Sequence, residues 1–415
     1  MQEILVNLLK IDKNKLKKNI LIVSGLYPSN GILSLISYFS YSLISNKEFN
    51  QKYNLKILIF NENISIKFKK FIYNIYLNFK NIFLNQKNRI FNDVYKSKEF
   101  LQDNPKLKKK IILYSKEKDF IDLNPQLIFP IYFPLKKNDL NSIGYIYDFQ
   151  HKDLPDMFSK NEINLRNDLF LKILKTNNFI IVNSNYVKIK IKKYFGFFKN
   201  KIIKIPFLPY IEENIKKKNF SLLKKKYEIK KNFFIICNNF WKHKNHDLAF
   251  KAFNQFLKIH PNYQLVCTGG FNDSRHPKYF KTLNKKFYKI IKEKKILILG
   301  VIPKADQICL LKNSKIIIQP TSYEGGPGGF SAYEAIAYNK NLLLSNILVN
   351  KEVKGRNVFF FKNNSSNQLL KKLIFINNKY KKKFDNKNIY SNSKINKKRL
   401  GNFLYNLINK NNFNS

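Results

Sequence analysis

One stretch constrains this chain more than any other, Gln319 to Leu344: Q-P-T-S-Y-E-G-G-P-G-G-F-S-A-Y-E-A-I-A-Y-N-K-N-L-L-L. It opens on Ile316-Ile317-Ile318, a β-branched apolar run that reads as a buried strand. A glycine-rich turn follows, with Gly325, Gly326, Gly328 and Gly329. A short helix is expected over 330–338 and a second strand over 342–344. Strand, loop, helix, strand predicts two parallel strands. Glycines let the backbone approach a ligand closely, and free N–H groups at the start of a helix favour an anion. Two carboxylates bracket the loop, Glu324 before it and Glu334 one turn into the helix. Carboxylates would repel a phosphate unless they hold something else, and sugar hydroxyls are the natural candidates. The plain alternative is an ordinary helix start with a solvated glutamate.

The segment P-T-S-Y-E-G-G-P-G-G-F-S-A-Y-E-A-I-A resembles the paired-glutamate motif of family 4 glycosyltransferases, P-S-x-x-E-G-F-G-x-x-x-x-E-A-x-A. Glu324 and Glu334 match its glutamates, with two extra residues in the Gly-Pro-Gly-Gly segment. Two further stretches carry the same resemblance, to the mannosyltransferase-like group. D-F-Q-H-K-D-L-P-D-M-F-S-K-N-E-I-N-L-R matches at Asp148, Gln150, His151, Pro155, Phe158, Ser159, Glu162 and Arg166. N-N-F-W-K-H-K-N-H matches from Asn238 to His246, where the more widespread family pattern has Arg at the position of Asn239.

The resemblance implies a retaining GT-B enzyme: α/β, two Rossmann-like domains facing a cleft. Its expected partition is 1–209 for an acceptor-side domain, 210–231 for a linker and 232–395 for the nucleotide-sugar domain. Residues 396–415 form a last helix that could cross back to the first domain. It implies site residues as well. Catalytic positions are His151 near the reacting sugar, Glu324 on the donor sugar and Lys244 on the diphosphate. Glu334 holds the ribose, the backbone at Ile302 meets the base, and Gly31 faces the donor from the first domain. Asn239, Gly325, Gly326, Gly328, Gly329, Phe330 and Ser331 complete the donor set. Arg166 could meet a phosphate or pair with Glu162 four residues earlier on one helix, and the pair is favoured.

The residues bear on these expectations independently. Strand-like apolar runs recur at 20–23, 55–60, 111–114, 126–131, 143–147, 179–182, 233–237, 263–267, 296–299 and 358–361, separated by helical stretches such as 32–44, one that runs to about 175, 247–259 and 278–292, while 202–206 closes the first domain. That alternation is the signature of parallel α/β units. Asp148-Phe149-Gln150-His151 follows a strand, the carboxyl-end position where such sheets place ligand groups. There is no G-x-G-x-x-G fingerprint and no Asp-x-Asp triplet, so neither a resident cofactor nor a metal is expected; the resemblance implies a GDP- or UDP-linked sugar as donor.

The formal net charge is +50. A polyanionic partner or a bias toward Lys and Asn along the whole chain would each produce it, and the even spread favours the bias. The basic amphipathic stretch from 66 to 84 suits either a surface helix or an anionic membrane. Cys237, Cys267 and Cys309 show neither pairing nor metal spacing and fit a reducing cytoplasm; the apolar runs around Cys237 and Cys267 predict buried thiols. No apolar window is long enough to span a bilayer. The expectation is a cytoplasmic enzyme, peripheral on the inner membrane face, moving a hexose, with mannose favoured, onto a glycan or lipid-linked acceptor in surface polysaccharide synthesis. The alternative is an inactive GT-B-like protein that binds anionic membrane or nucleic acid through its basic surface.

Overall fold

The computed structural model describes residues 17–25, 30–60, 100, 104–114, 118–135, 140–196, 198–212, 215–230, 232–379 and 389–411. The stretch from 66 to 84 lies outside them, as do residues 1–16. The chain divides into two compact units. The first comprises Met1–Tyr145, Lys172–Ile180 and Lys397–Ser415; the second comprises Ile146–Leu171 and Ile181–Asn396.

Among the described residues thirteen strands build two parallel sheets. They are β1 (Lys18–Val23), β2 (Tyr53–Phe60), β3 (Ile111–Tyr114), β4 (Pro125–Ile131), β5 (Ser142–Ile146), β6 (Phe179–Val182), β7 (Lys201–Lys204), β8 (Asn232–Cys237), β9 (Tyr263–Thr268), β10 (Ile296–Ile298), β11 (Ile316–Gln319), β12 (Leu342–Ser345) and β13 (Val358–Phe361). The sheet orders are β3-β2-β1-β4-β5-β6-β7 and β10-β9-β8-β11-β12-β13. In both, the order reverses direction next to the first strand laid down, β1 or β8. Doubly wound sheets place ligands outside the carboxyl ends of the strands at that point.

The six-stranded sheet shows why the apolar runs are continuous rather than alternating. Phe233 and Ile235 face one side, where they pack with Leu310, Leu311, Ala332 and Ala335. Phe234 and Ile236 face the other, against Phe250, Phe253, Phe256, Leu369 and Leu373. Side chains of a strand alternate sides, so a sheet covered on both faces needs apolar residues at every position. Truncating Phe234, fully buried among Phe253, Phe256 and Tyr263, would cost about 3–5 kcal/mol.

In the first unit, β1 is buried on both faces, and Leu21 and Val23 pack with Leu58, Phe120 and Ile128. The helix Asn30–Ile44 follows β1. The last helix, Ile389–Asn411, buries Leu400, Leu404, Leu407 and Ile408. A Cβ at Gly401 would stand 2.4 Å from the Ser42 carbonyl oxygen, so glycine permits the two backbones to touch. Asn402 accepts from Asn46 at 2.9 Å, and Asn409 accepts from Tyr53 at 2.8 Å.

Two local expectations need correction. The helix expected over 278–292 is two, Tyr279–Lys286 and Tyr288–Lys292. The break falls at Phe287, whose ring turns into the core against Phe250 at 5.4 Å; burying it outweighs one helical residue. Cys267 and Cys309 are buried free thiols, whereas Cys237 is only part-buried at the residue level, because it ends β8 where the loop begins. Separately, the helix Phe220–Lys226 lies within the stretch expected to link the domains, and its Leu223 packs with Ile229 and Phe233.

Candidate active site

The loops at the carboxyl ends of β8, β9, β10 and β11 lie within the second unit and are tied together by polar contacts. The His243 carbonyl accepts from the Ser322 amide at 2.8 Å, the Ser322 hydroxyl at 3.1 Å and the Thr321 hydroxyl at 3.2 Å. Gln319, at the end of β11, accepts from Asn238 at 2.5 Å and donates to the Ser331 hydroxyl. These ties bring Lys244 to Glu324: Nζ lies 2.5 Å from Oε1, and the two side chains are 13% and 11% exposed. A pair so far from water is little screened, so separating it would leave a costly charge.

The glycines answer to particular contacts. A Cβ at Gly325 would lie 2.1 Å from the Tyr147 carbonyl oxygen, while the Gly325 carbonyl accepts from the Ser184 hydroxyl at 2.9 Å. Gly328 caps the helix Gly329–Ala337 in the left-handed conformation, φ +63°, and its amide donates to Asn350 Oδ1 at 3.0 Å. That N–H is therefore committed to protein. Ser331 is buried, and Phe330 stacks on Tyr333 at 5.6 Å.

Glu334 sits on that helix and pairs through Oε1 with Lys304. Lys304 begins the helix Lys304–Asn313, two residues after Ile302. Burial works against its charge, but Glu334 beside it more than compensates, and its pKa is raised. Sequence reading missed this residue, because a lysine is unremarkable in so basic a chain. Asn239 uses its side-chain oxygen to accept the Gly270 amide at 2.9 Å.

A second group comes from residues 147–170. His151 is fully buried among Phe149, Phe158 and Phe170. Burial, helped by the Arg166 charge, pulls its pKa down to about 4, so it is neutral at pH 7. Nε2 lies 3.0 Å from Asn167 Oδ1. With that oxygen as acceptor Nε2 carries the proton, leaving Nδ1 as a lone pair with no protein partner. The Phe149 amide donates to the Tyr323 hydroxyl at 2.8 Å, which joins this segment to the glycine loop.

Arg166 does not pair with Glu162. Its Nη2 lies 2.6 Å from Asp148 Oδ1. Glu162 instead accepts from the amide and hydroxyl of Ser159, at 2.9 and 3.0 Å, while Ser159 Oγ accepts the Glu162 amide at 3.2 Å. This is a reciprocal capping box at the start of the helix Lys160–Thr176. The unsatisfied N–H groups there hold the glutamate, so the arginine turns to the strand end. Glu352 is likewise structural, since its two oxygens accept the amides of Asn185 and Tyr186 at 3.0 Å each.

The structure thus brings Lys244, Glu324 and the glycine loop together, with Lys304–Glu334 on the adjoining helices and His151 in the segment tied to that loop. Gly31 is exposed in the first turn of the helix Asn30–Ile44, in the first unit. Among the described residues no group of three or more His, Cys, Asp or Glu is arranged to hold a metal, and no helix is long and apolar enough to cross a membrane.

Residues 219–393 match the family model described as Glycosyl transferases group 1. No curated protein matches the chain. Solved structures do. A glycosyltransferase from Rickettsia africae ESF-5 is 16% identical, with a TM-score of 0.54 over 97% of this chain and 100% of that one. Anabaena Alr3699/HepE in complex with UDP and glucose is 12% identical, with a TM-score of 0.59 over 95% and 100%. Sucrose-phosphate synthase (tll1590) from Thermosynechococcus elongatus is 10% identical, with a TM-score of 0.56 over 94% and 96%. At these identities the likeness is one of fold. It agrees with the GT-B class expected from the sequence, an α/β chain with two parallel sheets.

Proposed function

We propose that this chain, an enzyme whose residues 219–393 are a group 1 glycosyltransferase domain, moves a hexose from a nucleotide diphosphate sugar to a glycan or lipid-linked acceptor with retention of anomeric configuration. The observation that carries the reading is the pair of lysine–glutamate contacts set around one glycine loop, Lys244–Glu324 and Lys304–Glu334. A nucleotide sugar has a ribose diol, a diphosphate and a sugar, and this arrangement offers complementary chemistry to each. Glu334 accepts hydrogen bonds from the ribose diol. Lys244 meets the charge that grows on the diphosphate as the anomeric C–O bond breaks, a fixed donor aimed at the leaving group. Glu324 holds Lys244 in place and accepts from a sugar hydroxyl. Neutral His151 offers its Nδ1 lone pair to another, rather than acting as an acid.

The HepE structure, a complex with UDP and glucose, favours a nucleotide-linked hexose. Among bases, the D-x-Q-H and N-x-F-W-x-H-K-N-H stretches favour GDP-mannose. Thermal-shift measurements against UDP, GDP, ADP and their sugars test the reading. A ligand at ~100 times its dissociation constant adds about 2.7 kcal/mol to folding stability. One nucleotide should shift the transition, and Glu334→Ala should abolish the shift. No shift with any of them, alongside salt-sensitive binding to DNA or anionic vesicles, would overturn it.

A further inference from the structure

A diphosphate carries more negative charge than Lys244, itself paired with Glu324, can balance alone. Three cations of the second unit each face a carboxylate: Lys244 faces Glu324 at 2.5 Å, Arg166 faces Asp148 at 2.6 Å, and Lys304 faces Glu334. Arg275 is held more loosely: its charge acts on Asp273 and on Glu162, but its side chain hydrogen-bonds to neither carboxylate. Its Nε stands 3.9 Å from Asp273 Oδ1, beyond hydrogen-bond reach. That carboxylate is occupied by the amides of Lys242 at 2.9 Å and Arg275 itself at 3.1 Å, with His276 Nδ1 at 3.5 Å. Nη1 reaches only Gln150 Oε1, at 3.4 Å. The guanidinium rests 4.4 Å from the centre of the Phe158 ring, part-exposed with most of its donors unused.

A second observation points to a ligand. Gln150 is 5% exposed, yet its Nε2 has no partner, and neither has Nδ1 of the neighbouring His151. A buried amide donor is costly to leave unpaired. The contact with Arg275 fixes Gln150 Oε1 on the guanidinium, which leaves Nε2 as the unused donor. Composition adds a third. Of 77 basic residues only five are arginines, so lysine is the default cation and an arginine marks a place where a planar fork is wanted. Two of the five, Arg166 and Arg275, meet on the one ring of Phe158.

The loop that carries Arg275 is also fastened to the loop that carries Lys244. The Lys242 amide bonds Asp273, the Trp241 ring donates to the Asn272 carbonyl at 3.1 Å, and Asn239 takes the Gly270 amide. Asn239 brings no charge of its own, so its loop relies on a neighbour.

We propose that Arg275 and the Gln150 amide form the subsite for the donor phosphate next to the sugar, Arg275 through its fork and Gln150 through Nε2. The assignment rests on the nucleotide-sugar reading above and names the residues that hold its leaving group. Calorimetric titration of UDP, GDP, UMP and GMP into the full chain and its Arg275→Met, Arg275→Lys and Gln150→Leu variants tests it. In the wild type one diphosphate binds more tightly than its monophosphate. Arg275→Met should weaken that diphosphate ~10- to 100-fold, the scale of a lost charge-assisted hydrogen bond, and leave the monophosphate within about threefold. Arg275→Lys should recover only part of the loss, since charge returns without the fork. Gln150→Leu should fall between. Diphosphate binding unchanged in Arg275→Met overturns the role of Arg275, and so does an equal loss for mono- and diphosphate. Wild-type protein that binds neither nucleotide overturns the donor reading itself.

Discussion

Gly325→Ala tests the geometry of the glycine loop most directly. The added methyl would lie 2.1 Å from the Tyr147 carbonyl oxygen and 2.6 Å from Asp148 Cβ. Carbon and oxygen do not approach much closer than about 3 Å, so the gap must open by roughly 1 Å. The obstacle is backbone, which cannot rotate away as a side chain would. The loop is also held from elsewhere, because the Gly325 carbonyl accepts from Ser184. The displacement therefore passes to Glu324, the preceding residue, and to its 2.5 Å contact with Lys244. A misplacement of 1 Å costs about 100-fold in rate, and overpacking of this kind costs ~1–3 kcal/mol of stability. Gly326→Ala is the control. Its nearest neighbour would be Asn183 Cβ at 3.2 Å, a clash relieved by a few tenths of an ångström, and neither glycine has a positive φ. The assay is release of nucleotide from the sugar donor, with a melting curve on each variant. Gly325→Ala should lose ~100-fold in kcat/KM and several degrees in Tm, and Gly326→Ala less than about tenfold. Indistinguishable behaviour of the two variants would refute the argument.

Lys244→Ala should lower turnover ~100-fold, by analogy with removing one fixed donor at a leaving group; wild-type turnover would remove Lys244 from the reaction. Lys304→Met should weaken nucleoside binding about tenfold, because Glu334 loses the partner that orients it; an unchanged KM for donor would refute this. Burial holds His151, His243 and His246 neutral, with pKa values lowered to about 4, well below normal and to about 3. The unfolded chain takes up protons near pH 6.5 that the folded one refuses, so stability is full above that pH and falls as pH drops toward 4, by on the order of 2–3 kcal/mol each for His151 and His246, with His243 adding in the same direction. Denaturant midpoints that stay flat from pH 7 to 4.5 would contradict it. His246 stacks on Phe240 at 4.0 Å with both ring nitrogens unpartnered. His246→Phe should leave Tm at pH 7 unchanged or higher and flatten the acid slope; a loss above ~1 kcal/mol would show that a ring nitrogen is needed.

Much of the fold was legible because buried parallel strands must be apolar at every position, and β8, β11 and β12 are short runs of that kind. The glycine loop was legible because residues needed for close approach or left-handed backbone cannot be disguised. What was hidden depended on distance along the chain. Arg166 had a plausible partner four residues away in Glu162, and only the folded chain shows Asp148 nearer and Glu162 drawn to the helix start. Lys304 was lost in a lysine-rich background, with nothing local to mark its contact 30 residues on with Glu334. Arg275 carried a readable signal in its rarity as an arginine, but not its destination. The split at Phe287 could not be seen from helix propensity, since the core decides where that ring goes.

The closing helix bears on how the molecule is made. The first unit draws on the beginning of the chain, on 172–180 and on 397–415, and the last of these supplies Leu400, Leu404, Leu407 and Ile408 to its interior. During synthesis the helix Asn30–Ile44 and the start of β2 wait for the helix that packs against them until the whole second unit has emerged from the ribosome. The second unit, by contrast, has every segment it needs by residue 396. The order of completion is the reverse of the order of translation, and a nascent chain stalled near residue 396 would offer chaperones an unfinished first unit beside a finished second.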